Sequence, residues 1–370
     1  MTEEAMSPRE RIEAVKSLKV PDRVPVVPLI DFVAPKIAGV KMSDFIFNDE
    51  VANKAIQVTF EKLGGWDEIF PPQIITMSAF SLKSKAPGRD LPDDALLQVC
   101  DEEIMKLDDY DLMVKKGFTA SLLELLNRVG NKDSAARILG LGNVIKSLRT
   151  TWDKLGIPIS CGALCFVPVE LFSFYRSVQK ILLDMHRYPD KIIKASNAVI
   201  NEEIGLAKST CLVSGVKTVF VGAQRTSCSF VSPKMFEQLT LPSLKKIVEN
   251  LHKDGFHTLL HFDCNWTLML EYLLQLPKAS CTLELDGQTD IFKAKKVLGD
   301  HMCIMGDVPA PFFRLGTTNE VEKYCIRLIK EVGEGGGFIL SSGCSVPVDA
   351  KLENIKAMID TAKKYGAYRK

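Results

Sequence analysis

Over the second half of the chain, short apolar runs rich in β-favouring residues alternate with stretches of helical periodicity. The short runs are Ile157–Ala163, Lys217–Val221, Thr258–Phe262, Cys281–Leu285, Cys303–Met305 and Gly337–Leu340. Between and after them, Val169–Phe174, Val178–His186, Pro189–Ser214, Ser232–Asp254 (interrupted by Pro242), 267–276, 290–297, 318–332 and about 351–364 read as helices. The first half is less regular. Ser7-Pro8-Arg9-Glu10 carries a cap, a proline at the first helical position and a glutamate three residues after the cap, so a helix should run to about Leu18. V-P-V-V-P-L-I-D over Val24–Asp31 reads as a proline-broken strand ending in an acid. Asp49–Leu63 is a helix stopped by Gly64-Gly65, and a further strand is expected at 68–70 or 73–76. From about 75 to 155 only charged helical stretches stand out: Asp101–Lys116, Ala120–Asn127 and Lys132–Leu155.

Strands alternating with helices at this spacing imply parallel strands with crossover helices. The candidates number eight, which predicts an α/β fold of the (β/α)8 TIM-barrel class, one domain over 1–370, with an N-terminal helical extension and a helical insertion at about 75–155 covering the barrel mouth. An open doubly wound sheet would call for a G-x-G-x-x-G turn after the first strand, and none is present.

Composition narrows the functional classes. With 47 basic and 46 acidic residues the formal net charge is +1, and no long block of one sign occurs, so nucleic acid and membrane surfaces are not expected partners. No apolar run reaches membrane-spanning length and the N-terminus is polar, which predicts a cytoplasmic protein. Ten cysteines without a C-x-x-C pair are expected as reduced, mostly buried thiols.

Candidate chemistry gathers at two strand ends. Thr258–Phe262 delivers His261, Asp263 and Cys264 within four residues, followed by Asn265 and Trp266, and the C-terminal end of a parallel strand is where such a barrel keeps its reactive groups. Strand alternation directs 261 and 263 to one side and 264 to the other unless the chain turns. The second place is Ser341-Ser342-Gly343-Cys344, which presents a cysteine on a tight turn. Asp31 and Asp307 also sit at strand ends. Asp307 is read as binding substrate, orienting a ligand or capping a helix, and Trp266 as pocket wall or core.

The chain resembles the uroporphyrinogen decarboxylase superfamily over essentially its whole length, and within it the zinc- and corrinoid-dependent methyltransferase branch. The likeness is densest in S-P-R-E-R-I near the start, H-F-D-C-N-W at 261–266, I-M-G-D-V at 304–308 and S-S-G-C-S-V-P…L-E-N-I-K-A-M at 341–358. The decarboxylases carry R-Q-A-G-R-Y near the N-terminus, where this chain reads D-F-V-A-P-K at 31–36, which argues against porphyrin decarboxylation. The methyltransferase branch holds zinc by a His-x-Cys, a late cysteine and often a glutamate between them. By that resemblance His261, Glu284 and Cys344 are metal ligands. The x-Cys position is Asp263, favoured as third ligand or as a partner of one, with the adjacent Cys264 as the alternative.

The resemblance further implies Asp263 and Asp307 in catalysis, Asp31, Asn265 and Trp266 against substrate, a Zn2+ ion, and a corrinoid (cobalamin) carried by a separate corrinoid protein. The implied reaction moves a methyl group from a small methylated compound, first a methyl ether, to Co(I). Methylcorrinoid:thiol or methylcorrinoid:folate transfer, uroporphyrinogen decarboxylation and a non-catalytic tetrapyrrole-binding barrel are the alternatives, and a homodimer is compatible with it.

Overall fold

The computed structural model describes residues 5–130 and 134–368; Lys132, where one helical stretch was expected to open, lies outside them. The chain divides into two compact units, residues 1–72 with 147–160 and 278–370, and residues 73–146 with 161–277.

In the second unit three strands lie side by side in parallel: β1 Ala163–Phe166, β2 Thr218–Gly222 and β3 His257–Phe262. In the first, β4 Cys281–Leu285, β5 Cys303–Val308 and β6 Phe338–Ser342 do the same. The first unit then extends its parallel row by single bridges, Val26 to Leu340 and Ile69 to Ile159. Eight extended stretches with intervening helices are thus the (β/α)8 arrangement expected. Residues in β2, β4, β5 and β6 are buried on both faces, as parallel strands covered by helices must be.

Departures from the expected elements have local causes. Val24–Asp31 makes only a bridge because Pro25 and Pro28 have no N–H for the ladder; Pro25 still accepts from Leu340 N at 2.9 Å. The third strand starts later than expected and continues to Phe166. Residues 73–76 open a helix, not a strand. Asp101–Asp108 is not helical; Asp109 takes the Lys106 N–H at 2.6 Å and starts one helix, Asp109–Val129, which bends at Gly117. A Cβ at Gly117 would lie 2.1 Å from Glu202 Oε1, so the bend needs glycine. Ser232–Asp254 splits into Pro233–Leu239 and Leu241–Lys253, with Pro242 in the first turn of the second helix. In place of the helix expected at 267–276 there is a 3-10 turn, Leu270–Gln275. The helix Asp109–Val129 packs along Pro189–Ser214, within the second unit.

The N-terminal motif S-P-R-E-R-I has a structural role. The capping box forms, with Ser7 and Glu10 exchanging hydrogen bonds. Arg11, fully buried, donates to Asp67 Oδ1 at 2.6 Å and to both oxygens of Asp22. Arg23 also grips Asp67, at 2.8 and 3.0 Å, and Asp67 Oδ2 accepts from Val26 N at 2.7 Å. A buried ion cluster therefore ties the first helix to the first extended segment.

Among the described residues no helix is long and apolar enough to cross a membrane. None of the ten cysteines forms a disulfide.

Candidate metal centre

In the second unit the site is built from the end of β3. His261 is 3 % exposed and its ring lies against Phe220, with centroids 4.9 Å apart. Its Nε2 is 3.3 Å from Asp263 Oδ2. Two donors on one tetrahedral zinc, with bonds near 2.0–2.2 Å, stand about 3.3–3.5 Å apart. The imidazole and the carboxylate are therefore spaced as two ligands of one ion, and both are ordinary zinc donors.

The chain does turn after Asp263. Cys264 has φ 72°, so strand alternation no longer governs where its side chain points. Asn265 is exposed and its Oδ1 accepts from Thr267 N at 2.9 Å, a local turn that shapes the loop. Trp266 is fully buried. It stacks on Phe262 at 4.1 Å, meets Phe236 edge-on at 5.7 Å, and donates its indole N–H to Asp263 O at 2.8 Å. Expected either in the core or against substrate, Trp266 is a core residue that fixes the backbone of Asp263.

A second acid stands near this pair. Glu170, in the first turn of the helix Pro168–Arg176, is buried, and its Oε2 accepts from Arg225 N at 2.7 Å. Burial pushes its carboxyl up to about 7 and the Asp263 charge adds to the rise, while Arg225 offsets part of it. The Arg225 guanidinium donates to Ser173 Oγ at 3.0 Å and lies over Phe174, 4.8 Å from the ring centre. The sequence reading missed Glu170. The available signal was an acid in the first turn of an otherwise apolar segment, P-V-E-L-F-S-F-Y, directly after a strand.

The first unit carries the remaining candidates at its own strand ends. Cys344 is half-buried on the turn after β6. That turn needs glycine, because a Cβ at Gly343 would come within 2.6 Å of the Asp286 backbone. Ser345, next to the cysteine, donates its hydroxyl to the buried Asp31, which also accepts from Phe32 N at 2.6 Å. Asp31 thus braces the cysteine turn. Asp307 is buried in β5 and accepts the Tyr324 hydroxyl at 2.8 Å. Burial pushes it up to about 7, against the Tyr324 hydrogen bond that favours its anion. Glu284 lies in β4, 1 % exposed.

Residues 116–365 match the family model described as uroporphyrinogen decarboxylase (URO-D). Among curated proteins, a methylcobamide:CoM methyltransferase, MtaA, from Methanosarcina barkeri is 25 % identical over 228 residues, 60 % of this chain and 64 % of that protein. A uroporphyrinogen decarboxylase from Pseudoalteromonas atlantica is 27 % identical over 141 residues, 37 % of this chain and 39 % of that one. The chain therefore spans less than two thirds of the length of the curated relatives it matches. Among solved structures, a methyltransferase from Methanosarcina mazei superposes with a TM-score of 0.75 at 19 % identity, covering 97 % of this chain and 99 % of that one, which shows a shared fold.

Proposed function

The chain belongs to the uroporphyrinogen decarboxylase family, and on that premise we propose that it is a corrinoid-dependent methyltransferase whose reaction centres on a zinc ion held by His261, Asp263 and Cys344. The observation that carries the reading is the buried His261 imidazole set one tetrahedral edge from Asp263. Cys344 is assigned as the third donor from the likeness of S-S-G-C to the late cysteine of the methyltransferase branch. Imidazole, carboxylate and thiolate are a donor set that suits zinc and leaves a position for substrate. Bound there, zinc would supply Lewis acidity towards the heteroatom that bears or receives the methyl group.

The chain's own residues do the rest. Asp263, held through its carbonyl by Trp266, keeps its carboxylate beside His261. Glu170, pushed by burial up to about 7, is the acid that protonates an oxygen as its methyl group departs. Asp31, through Ser345, fixes the turn that presents Cys344. Asp307, likewise pushed by burial up to about 7, is assigned to substrate binding. Glu284 is kept as an additional ligand.

The methyl group moves between a small methylated compound and the corrinoid of a partner protein. Asp263, where thiol-methylating relatives have sulfur, favours an oxygen-linked methyl group, as in a methyl ether. The names of the M. barkeri relatives favour a second reading, transfer from a methylcorrinoid to a thiol.

Metal analysis and a corrinoid assay test the proposal together. Wild-type protein should hold about one zinc per chain, as one catalytic site requires. His261→Ala and Cys344→Ala should lose both the metal and the transfer, followed by visible spectra of the corrinoid protein. Methoxyaromatics, methanol, methylamines and methylthiols offered with Co(I) protein, and thiols offered with methylated protein, separate the two directions. Unchanged transfer in both variants refutes the zinc reading.

A further inference from the structure

The second unit holds another pocket, built wholly from its own residues. Its wall is apolar, with Met77, Phe118, Leu122 and Leu206 among the lining side chains, and it is partly open, enclosing about 80 Å3. Four polar side chains reach it: Ser81, Tyr175, Glu203 and Thr210. The Ser81 and Thr210 hydroxyls are committed to their own helices, Ser81 to Met77 O and Thr210 to Leu206 O, each at 2.9 Å. Glu203 is different. It is 4 % exposed, its Oε1 accepts from Phe166 N at 2.8 Å, and apart from the weakly donating Cys165 thiol beside it, its Oε2 meets no N–H or O–H donor among the described residues. The neighbouring Cys165 thiol is directed at Phe166 O.

Capping the end of β1 explains one oxygen, and a glutamine would serve it equally well. The other oxygen is buried against an apolar wall, where a polar group without a partner is costly. We propose that this pocket binds a small, uncharged, mainly apolar molecule with one hydrogen-bond-accepting oxygen, such as a short-chain alcohol, ether or ketone, which takes the hydrogen bond of Glu203 Oε2–H. Burial supports this, since it pushes Glu203 up to about 8 and keeps the proton on at neutral pH. An ammonium ligand would have to be desolvated and would need the carboxylate ionised. Size sets the chain length, since the space is smaller than the roughly 150 Å3 apolar cavity that admits benzene.

This inference is independent of the metal centre, and its test needs no turnover. Butan-1-ol, butyrate and butylamine are titrated into the full chain near pH 6.5, with binding read by saturation-transfer NMR and folding by circular dichroism. Butan-1-ol should bind saturably in the millimolar range. Butyrate and butylamine should each bind about tenfold more weakly or worse. Leu122→Trp, which fills the pocket, should abolish butan-1-ol binding. Glu203→Gln, which keeps an N–H donor, should retain it, and Glu203→Leu should weaken it about fivefold. Butan-1-ol binding undiminished in folded Leu122→Trp, butylamine binding tighter than butan-1-ol, or no saturable binding of the alcohol would each overturn the proposal.

Discussion

Replacing Asp67 by asparagine tests the account of the N-terminal half. Asp67 is 1 % exposed and receives Arg11 at 2.6 Å, Arg23 at 2.8 and 3.0 Å, and Val26 N at 2.7 Å. Asparagine keeps the shape and one acceptor oxygen but removes the charge that two buried guanidinium groups share. Arg11 still has Asp22 and Arg23 Nη1 still donates to Val24 O at 3.1 Å, but the cluster loses the negative charge that both guanidinium groups share. Removing one partner of a buried ion pair costs about 3–5 kcal/mol. At about 2.1 cal/mol/K per residue the unfolding entropy of 370 residues is about 0.8 kcal/mol/K. The variant should therefore melt about 4–6 °C below wild type in a differential scanning experiment. Because Val26 bridges Leu340 in β6, the loss should also raise amide exchange along the first extended segment. A melting point within about 1 °C of wild type would show that the cluster is not the clamp its geometry indicates.

Other outcomes follow from the proposed zinc ligands and the second pocket. Gly343→Ala places a Cβ 2.6 Å from the Asp286 backbone, so calorimetry should show a loss of about 1–3 kcal/mol, together with weaker zinc retention as the Cys344 turn shifts. Trp266→Phe keeps the stack on Phe262 but removes the N–H held by Asp263 O; zinc affinity, measured with a chromophoric chelator, should fall about tenfold while the fold stays intact. Tyr324→Phe deletes the hydrogen bond to the Asp307 carboxylate, so the Asp307 midpoint, followed by carbon NMR, should rise above about 7 by about half a pH unit or more. Glu203 has its midpoint raised from the ordinary 4.5 to about 8 in the folded state, so its contribution to stability is complete below about pH 4.5 and is lost as pH rises to about 8. Glu203→Gln should flatten that decline in urea unfolding curves at successive pH values; an equally steep decline in the variant would assign it to another group.

The period of apolar positions determined the fold class, because buried parallel strands and the helices covering them need different repeats. The capping box at Ser7 and Glu10, the stops at Gly64 and Gly215, and the end of β3 at His261 follow from neighbours within a few residues. Element boundaries were least legible where a side chain distant in the chain decides them. Asp109 holding Arg128, and Glu202 closing on the bend at Gly117, are examples. The same limit applies to the site. His261 and Asp263 are two apart at the end of one strand, so their pairing could be read from alternation alone. Only the tertiary structure decided that Trp266 is core packing, that Asp31 is tied to Ser345, and that Glu170 and Glu203 are buried acids whose proton affinity is raised. A carboxyl group's proton affinity depends on how much water the folded chain removes from it, and that is set by residues the local sequence does not contain.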